Sequence, residues 1–288
     1  MITALERKPD GTIVITIHVA WDRVAQTRES VIAELVKNVE LPGFRKGKAP
    51  RETAEKSLDQ TKIYEEVIQK LLPVIYQEVI TEHALRPVVT PKIEIVQARE
   101  GEEWIIRAHT AEKPSVTLGD YKEAIRQAKS AKRNKIWTPG QETGPAKPNE
   151  EAKSKEMTLG ELLEAILYCV TCQVPGLLIE QDVNRALSDL IDQTKKLGLT
   201  VDQYLASTGR TVEHLRKEYA QNARRTLTLE FALEAIADAE HIAVDEDEIE
   251  KALKAAKSEE ERATLARERY YLATVLRRQK TLDFLSAV

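Results

Sequence analysis

The amino-acid sequence predicts a multidomain, mostly helical protein, in which an α+β domain is followed by an elongated all-α domain. The chain has 288 residues, which is longer than a single compact core usually needs. Its amino-terminal part mixes a two-residue hydrophobic period with a helical one, whereas only the helical period continues after residue 156. We therefore expect domains over residues 1–115 and 157–288, joined by a linker over residues 116–156.

The α+β domain begins with a strand and a helix. Isoleucine and valine alternate with other residues over 13–19, which is the period of a half-buried strand. Apolar residues then recur at helical spacing over 22–39. Pro42 and Gly43 follow directly, and this pair is expected to stop the helix.

Two more helices and two more strands complete this domain. Pro50 can open a short helix that reaches Leu58, and a longer apolar stripe over 63–79 predicts a second helix that ends at Pro87. Runs over 88–96 and 103–109 have the composition of strands. The order of strand, helices and strands is typical of an α+β domain.

The segment over residues 122–156 differs in composition from both flanks. It holds three prolines, two glycines and many charges, and its one aromatic residue is Trp137. About 35 residues of this kind, without a disulfide or a metal, are too few and too polar to bury a core. We interpret the segment as a linker or a loosely ordered arm.

The carboxyl-terminal domain is predicted as a series of helices with clear boundaries. Four residue pairs have the spacing of reciprocal amino-terminal caps: Thr158 with Glu161, Thr200 with Gln203, Asp245 with Glu248, and Ser258 with Glu261. Pro175 with Gly176 and, later, Thr211 open two further helices, and Gly198 ends the first of them. The last long helix is expected from about Glu259 to the end.

Charge and apolar content limit the functional classes. A formal net charge of −4 argues against a protein coated with basic residues, so any nucleic-acid contact must come from a local patch. Glu6, Arg7 and Lys8 occupy the place where an export signal would be apolar. The most apolar stretch, residues 165–179, is shorter than the roughly 20 residues of a spanning helix. We expect a cytoplasmic protein with no membrane partner.

The sequence predicts neither a metal site nor a cofactor. Cys169 and Cys172 form a CVTC pair inside a helical pattern, with no second pair to complete a zinc site. We expect both to be buried and reduced. The five histidines lack metal-ligand spacing, and no phosphate-binding glycine loop of the P-loop pattern is present.

One local patch is cationic. The stretch LPGFRKGKAP, residues 41–50, places an aromatic ring and three cations between glycines and prolines. Its cations can meet phosphates or carboxylates, and Phe44 offers an apolar face. Taken alone, such a loop is more often a solvated turn between two helices.

With this order of elements, two blocks, one in each predicted domain, make the sequence resemble the trigger factor family of bacterial chaperones, which meet nascent chains at the ribosome exit tunnel. GFRKGKAP, residues 43–50, is similar to the family's ribosome-docking signature and lies where the family has it. The stretches over residues 174–187 and 198–253 are similar in register and length to the family's carboxyl-terminal helical domain.

The resemblance implies an ATP-independent chaperone that docks on ribosomal protein and rRNA and shields unfolded nascent polypeptides. It assigns docking to Gly43, Phe44, Arg45, Lys46, Gly47 and Lys48. It also implies a cradle for clients in the helical domain, for which the apolar candidates are Leu253, Leu272, Val275, Leu276 and Phe284. A homodimer of the free protein would also agree with the resemblance.

One departure from the family concerns catalysis. Family members usually carry an FKBP-type peptidyl-prolyl isomerase domain between the two blocks, and here a short polar segment stands in its place. Such an isomerase needs an apolar, aromatic-lined pocket, which Trp137 alone cannot provide. We predict a chaperone that is not an enzyme. Two alternatives stay open: an active isomerase of this family, and a ribosome-associated RNA- or protein-binding factor without chaperone activity.

Overall fold

The structure is a computed structural model that describes residues 2–38, 57–133, 157–254 and 258–288. Its contacts divide the chain into two compact units. Unit 1 comprises Met1–Lys113 with Pro175–Leu178, and unit 2 comprises Pro114–Val174 with Ile179–Val288. The predicted fold class, an α+β region followed by a mostly helical one, is confirmed.

Among its described residues, unit 1 is a four-stranded antiparallel sheet with two helices. Its elements are β1 (Ile2–Arg7), β2 (Thr12–Val19), α1 (Trp21–Asn38), α2 (Gln60–Glu82), β3 (Lys92–Gln97) and β4 (Trp104–Ala111). The strand order is β1-β2-β4-β3. Every second residue of β2 and β4 packs with apolar residues of α1 and α2, and this side of the sheet is therefore buried. These residues run from Ile13 to Val19 in β2 and from Trp104 to Ala108 in β4.

The first strand was not predicted. β1 is an edge strand that pairs along its whole length with β2, from Ile2 opposite His18 to Arg7 opposite Ile13. Its Leu5 packs against the core, but most of its other residues are polar or small. An edge strand needs little apolar sequence because its neighbour supplies the hydrogen bonds.

The predicted end of the second long helix at Pro87 is wrong. α2 ends at Glu82, and Ala84 then adopts a left-handed conformation with φ of 49°. The amide of Leu85 donates to Ile80 O at 3.0 Å, and the Leu85 side chain turns back into the core. This closing turn, in which a buried side chain follows a left-handed residue, ends the helix before the proline is reached.

Unit 2 contains a two-stranded sheet and eight helices among the described residues. Its elements are β5 (Val116–Leu118), α3 (Tyr121–Arg133), α4 (Leu159–Cys169), β6 (Val170–Cys172), α5 (Gly176–Lys196), α6 (Val201–Thr208), α7 (Val212–Ala239), α8 (Glu246–Lys254), α9 (Glu259–Arg267) and α10 (Arg269–Ala287). The first three residues of α5 are assigned to unit 1.

The helix boundaries of unit 2 follow local sequence signals. Thr158 and Thr200 form complete capping boxes, and Thr211 accepts a hydrogen bond from His214 N at 3.2 Å. At Asp245, the amide donates to Glu248 Oε2 at 3.0 Å. Gly198, with φ of 72°, follows the end of α5 as predicted. The side chain of Glu261, the partner predicted for Ser258, lies outside the described residues.

The first part of the predicted linker is ordered structure. β5 pairs with β6, and α3 buries Tyr121 and Ile125 against Ile166 of α4 and Leu285 of α10. Two large apolar side chains one helical turn apart are sufficient to pack α3 onto unit 2, because the rest of the unit supplies the other side of the core. The remainder of that linker, residues 134–156, lies outside the described residues.

The predicted last helix is two helices. α9 and α10 are separated by Glu268, whose φ and ψ are −100° and 35°. The carbonyl of Glu268 already accepts from Leu272 N at 3.0 Å, so the break occupies a single residue. A one-residue break leaves the helical spacing of the leucines nearly unchanged, and the pattern therefore could not reveal it. Within the described ranges, no helix has the length and apolar character needed to cross a bilayer.

Candidate functional site

An open groove lies on the surface of unit 2. Its volume is about 490 Å³, and its walls are α7, the loop over residues 240–245 and α10. We call it the α10 groove. Its apolar lining includes Phe231, Leu233, Ala237, Ile242, Ala243, Val244, Tyr270 and Ala273, and charged residues on its walls are Glu230, Glu234, Arg277 and Arg278. Apolar walls with a few charges and this volume are typical of sites that bind organic side chains or ligands.

The end of α7 shapes one wall of the groove. His241 adopts a left-handed conformation with φ of 53°, and the next amide, Ile242 N, donates to Ala237 O at 2.8 Å. This arrangement is a helix-ending turn in which the residue after the left-handed one faces back toward the helix. It directs Ile242 and Val244 along the groove.

Cations of α10 hold the loop from the other side. Arg277 donates from Nε to Ile242 O at 2.8 Å and from Nη2 to Asp238 Oδ1 at 2.6 Å. Lys280 Nζ donates to Ala243 O at 2.7 Å and to Glu248 Oε2 at 2.9 Å. The hydrogen bond from Lys280, together with that from the Asp245 amide, lowers the pKa of Glu248 below its ordinary value.

Three large apolar side chains are exposed on α10. The exposed fractions are 88% for Tyr270, 63% for Tyr271 and 43% for Val275. Tyr270 lines the groove, and Tyr271 and Val275 share one helix face because they are four residues apart. We call these three residues the α10 patch. Rings left in water at this level offer apolar area that a binding partner can bury.

The five predicted client-binding residues lie in different environments. Val275 is exposed, whereas Leu272 is buried with 9% of its surface exposed. Leu253, Leu276 and Phe284 are intermediate, and Phe284 packs against the cluster that contains Ile125 and Ile166. The structure therefore places Leu272 and Phe284 among core contacts and leaves Val275 accessible.

Tyr270 and Tyr271 are not among the residues predicted from sequence to bind clients. The adjacency of the two tyrosines was a signal in the sequence. Neighbouring residues of a helix point about 100° apart, and a narrow stripe that faces the core rarely covers both. Two adjacent tyrosines in a helix therefore indicate that at least one ring is exposed.

The predicted docking residues Gly43 to Lys48 lie outside the described residues, as does most of the predicted short helix over 50–58. They belong to the segment that connects α1 to α2. Their assignment to docking stays a prediction.

The prediction that both cysteines are buried is wrong, because Cys169 and Cys172 are each half-buried, although both thiols are free. Cys169 is the last residue of α4 and Cys172 lies in β6, so the pair spans a helix-to-strand junction and not a helix interior. Burial raises the pKa of both thiols, and Cys169 Sγ donates to Ile166 O at 3.2 Å. The carboxyl end of a helix also disfavours a thiolate. Among the described residues, no group of three or more His, Cys, Asp or Glu side chains could hold a metal.

Two models of known protein families match nearly the whole chain. The model for bacterial trigger factor protein matches residues 1–135, and the model for the trigger factor C-terminus matches residues 146–286. The chain belongs to the trigger factor family. Residues 136–145 are all that separates the two matched stretches of this family member.

Individual trigger factors match a smaller part of the chain. The protein from Pelotomaculum thermopropionicum is 37% identical over 118 residues, which are 41% of this chain and 27% of the relative. The one from Desulforamulus reducens is 38% identical over 122 residues, which are 42% of this chain and 28% of the relative. The one from Streptococcus pyogenes serotype M1 is 33% identical over 132 residues, which are 46% of this chain and 31% of the relative. The chain thus matches less than a third of the length of these curated relatives.

A solved structure is similar over the full length. It comes from work on promiscuous substrate recognition in the folding and assembly activities of the trigger factor chaperone. The match covers 100% of this chain and 99% of the other, with a TM-score of 0.65 and 14% sequence identity. At that identity, the similarity shows the fold of this trigger factor family member.

Proposed function

We propose that this protein is an ATP-independent chaperone of the trigger factor type, which docks on the ribosome near the exit tunnel in the cytoplasm and shields nascent polypeptides. The observation that carries the proposal is the match of both trigger factor models over nearly the whole chain. The exposed apolar surface of unit 2 supports it, because a chaperone that holds unfolded clients needs apolar area that is not covered in the free protein.

Client binding is assigned to the α10 patch and the adjoining groove. Tyr270 and Tyr271 together offer on the order of 200 Å² or more of ring surface, and burial stabilises a complex by about 25 cal/mol per Å². The gross gain is about 5 kcal/mol, and the cost of association, about 4 kcal/mol or more, offsets most of it, so binding through these two rings is weak. Weak binding suits a chaperone that must release its client.

Ribosome docking is assigned to residues 43–48. Arg45, Lys46 and Lys48 are proposed to contact rRNA phosphates and carboxylates of a ribosomal protein, and Phe44 is proposed to contact an apolar site. Contacts to phosphates release counterions, so binding should weaken as salt rises.

We also propose that the protein does not catalyse prolyl isomerisation. The support is that the family models that match are those for the two outer parts, with only residues 136–145 between them. A proline-limited refolding assay tests this point, and acceleration well above background would contradict it.

The docking experiment replaces Phe44, Arg45 and Lys46 together by alanine and measures co-sedimentation with ribosomes at low and moderate salt. We expect lost binding and unchanged helical content. A matched control removes one exposed ring and two exposed cations elsewhere, by replacing Tyr168, Lys195 and Lys196 with alanine; Tyr168 is 94% exposed. Equal sedimentation of the two variants would refute the docking assignment.

The client experiment replaces Tyr270, Tyr271 and Val275 by serine and measures suppression of aggregation of a chemically denatured protein. We expect most of the suppression to be lost. The control removes three exposed valines of unit 1 by the substitutions Val74→Ser, Val88→Ser and Val96→Ser, where the exposed fractions are 51%, 48% and 45%. If the control loses as much activity as the test variant, the α10 patch is not the binding surface.

A further inference from the structure

The loop over residues 240–245 is held in place mainly by hydrogen bonds from residues outside the loop. At its start, Ile242 N bonds to Ala237 O, and at its end Asp245 N bonds to Glu248. His241 and Ala243 are exposed, and Ile242 and Val244 are half-buried. The backbone between those two points carries the groove-lining residues 242–244, so its position sets the width of the groove.

Two side chains of α10 reach this backbone. Arg277 Nε donates to Ile242 O at 2.8 Å, and Lys280 Nζ donates to Ala243 O at 2.7 Å. Hydrogen bonds from ionised donors are stronger than those between neutral groups. The two bonds hold consecutive carbonyls, so they fix both the distance and the orientation of the loop relative to α10.

Each cation also bonds to a carboxylate on a different helix. Arg277 pairs with Asp238 of α7 at 2.6 Å, and Lys280 pairs with Glu248 of α8 at 2.9 Å. Each cation thus connects α10 to the loop and to one of the helices that flank the loop. Exposed ion pairs alone add little to the stability of a protein, so the geometric effect on the loop matters more than the added stability.

The neighbouring arginine differs in this respect. Arg278 Nη1 pairs with Glu230 Oε1 of α7 at 3.0 Å, and both residues line the groove. In the contacts of the described residues this pair joins two side chains and holds no loop carbonyl. Arg278 therefore matches Arg277 in charge, helix and groove position while lacking the contact to the loop.

We infer that Arg277 and Lys280 are positioning residues of the α10 groove, which hold the carbonyls of Ile242 and Ala243 and keep the groove wide enough for an apolar side chain of a client. The inference rests on the proposed client-binding function. A client with a phenylalanine or a leucine in an extended segment is the partner that an apolar groove of about 490 Å³ fits.

The test compares single substitutions in the full-length protein. The probe is a fluorescein-labelled peptide of about ten residues with two phenylalanines, and its dissociation constant is measured by anisotropy. We expect Arg277→Gln and Lys280→Met each to weaken binding about tenfold, and Arg278→Gln to change it less than about twofold. Lys280→Arg, unlike Lys280→Met, should bind the peptide as the wild type does, because a guanidinium can still donate to a carbonyl and a carboxylate together.

A second measurement separates positioning from stability. Exchange of the Ile242 amide, which bonds to Ala237 O, should accelerate in Arg277→Gln and stay unchanged in Arg278→Gln, while exchange in the core of α7 is the same in both. If Arg277→Gln binds the peptide as well as Arg278→Gln does, the inference is overturned while client binding stands. If the wild-type protein does not bind the peptide, the client-binding role of the groove and the inference both fail.

Discussion

The hydroxyl group of Tyr121 donates a hydrogen bond to Glu240 Oε1 at 2.5 Å and thereby joins the start of α3 to the end of α7. The same carboxylate oxygen lies 2.6 Å from Lys122 Nζ. Hydrogen bonds from Lys122 and then from Tyr121 lower the pKa of Glu240, whereas burial and then the carboxylate raise the pKa of Tyr121. The Lys122 ammonium also lies 5.6 Å from the centre of the Phe284 ring of α10. A segment that the sequence suggested was a linker is therefore attached to two helices of unit 2.

Tyr121→Phe should lower the free energy of unfolding by about 1 kcal/mol, because it removes one hydrogen bond and leaves the ring in place. Chemical denaturation measures the change. The control is Tyr168→Phe, whose ring is 94% exposed, and it should have no measurable effect. Equal stability of the two variants would show that the hydrogen bond to Glu240 contributes nothing.

Ile125→Ala should lower the free energy of unfolding by about 2–5 kcal/mol, since Ile125 has no exposed surface and its removal leaves a cavity between α3 and α4. Ile191→Ala, at a side chain that is 37% exposed, should cost clearly less. The measurement is again chemical denaturation. Similar costs at both positions would mean that α3 is not part of the core of unit 2.

Ala84→Gly should raise the free energy of unfolding by roughly 0.5–1 kcal/mol. Ala84 has φ of 49°, a conformation that costs a residue with a Cβ about 1–2 kcal/mol and costs glycine little, although glycine loses more entropy on folding. The same substitution at Ala33, inside α1, should have the opposite sign and cost about 1 kcal/mol. Thermal or chemical unfolding of the two variants decides the matter, and destabilisation by both would contradict the prediction.

The stability of unit 1 should depend on the ionisation of Glu112. Its Oε1 accepts from Arg86 N at 2.9 Å and its Oε2 from Arg7 Nη1 at 2.9 Å. These contacts, the backbone amide first, lower the pKa of Glu112 below the ordinary glutamate value of 4.5. A lowered pKa means that the carboxylate stabilises the folded state above pH 4.5 and that this contribution is lost as the pH falls through the folded-state value.

Glu112→Gln should therefore be less stable than the wild type at pH 7, and the difference should shrink as the pH falls below the ordinary glutamate value of 4.5 and the wild-type carboxylate becomes protonated. The check is the melting temperature of both proteins between pH 7 and pH 3. A difference that is the same at all these pH values would show that the charge of Glu112 is not involved.

Local signals predicted part of the fold well. The alternation over residues 13–19 identified β2, and the spacing of Thr158 with Glu161 and of Thr200 with Gln203 located the starts of α4 and α6. These signals succeed because a strand period and a capping box are complete within a few residues. The break at Glu268 was missed because a single residue hardly disturbs the period of the leucines around it.

The candidate site was predicted less well. Leu272, Val275 and Leu276 share the same sequence pattern, yet Leu272 is buried and Val275 is 43% exposed. The groove itself depends on α7, the 240–245 loop and α10, which meet from positions up to about fifty residues apart. Such a meeting has no signature in any short stretch of the chain.

The sequence by itself determined the family, the succession of an α+β region and a mostly helical one, and most helix starts, because these follow from periodicity, caps and motifs that are local in the chain. Only the tertiary structure decided that residues 116–133 belong to unit 2, which leucines of α10 are buried, and that Arg277 and Lys280 meet the carbonyls of Ile242 and Ala243. The physical reason is that burial and hydrogen bonding of a side chain depend on the surface opposite to it, and that surface comes from distant residues.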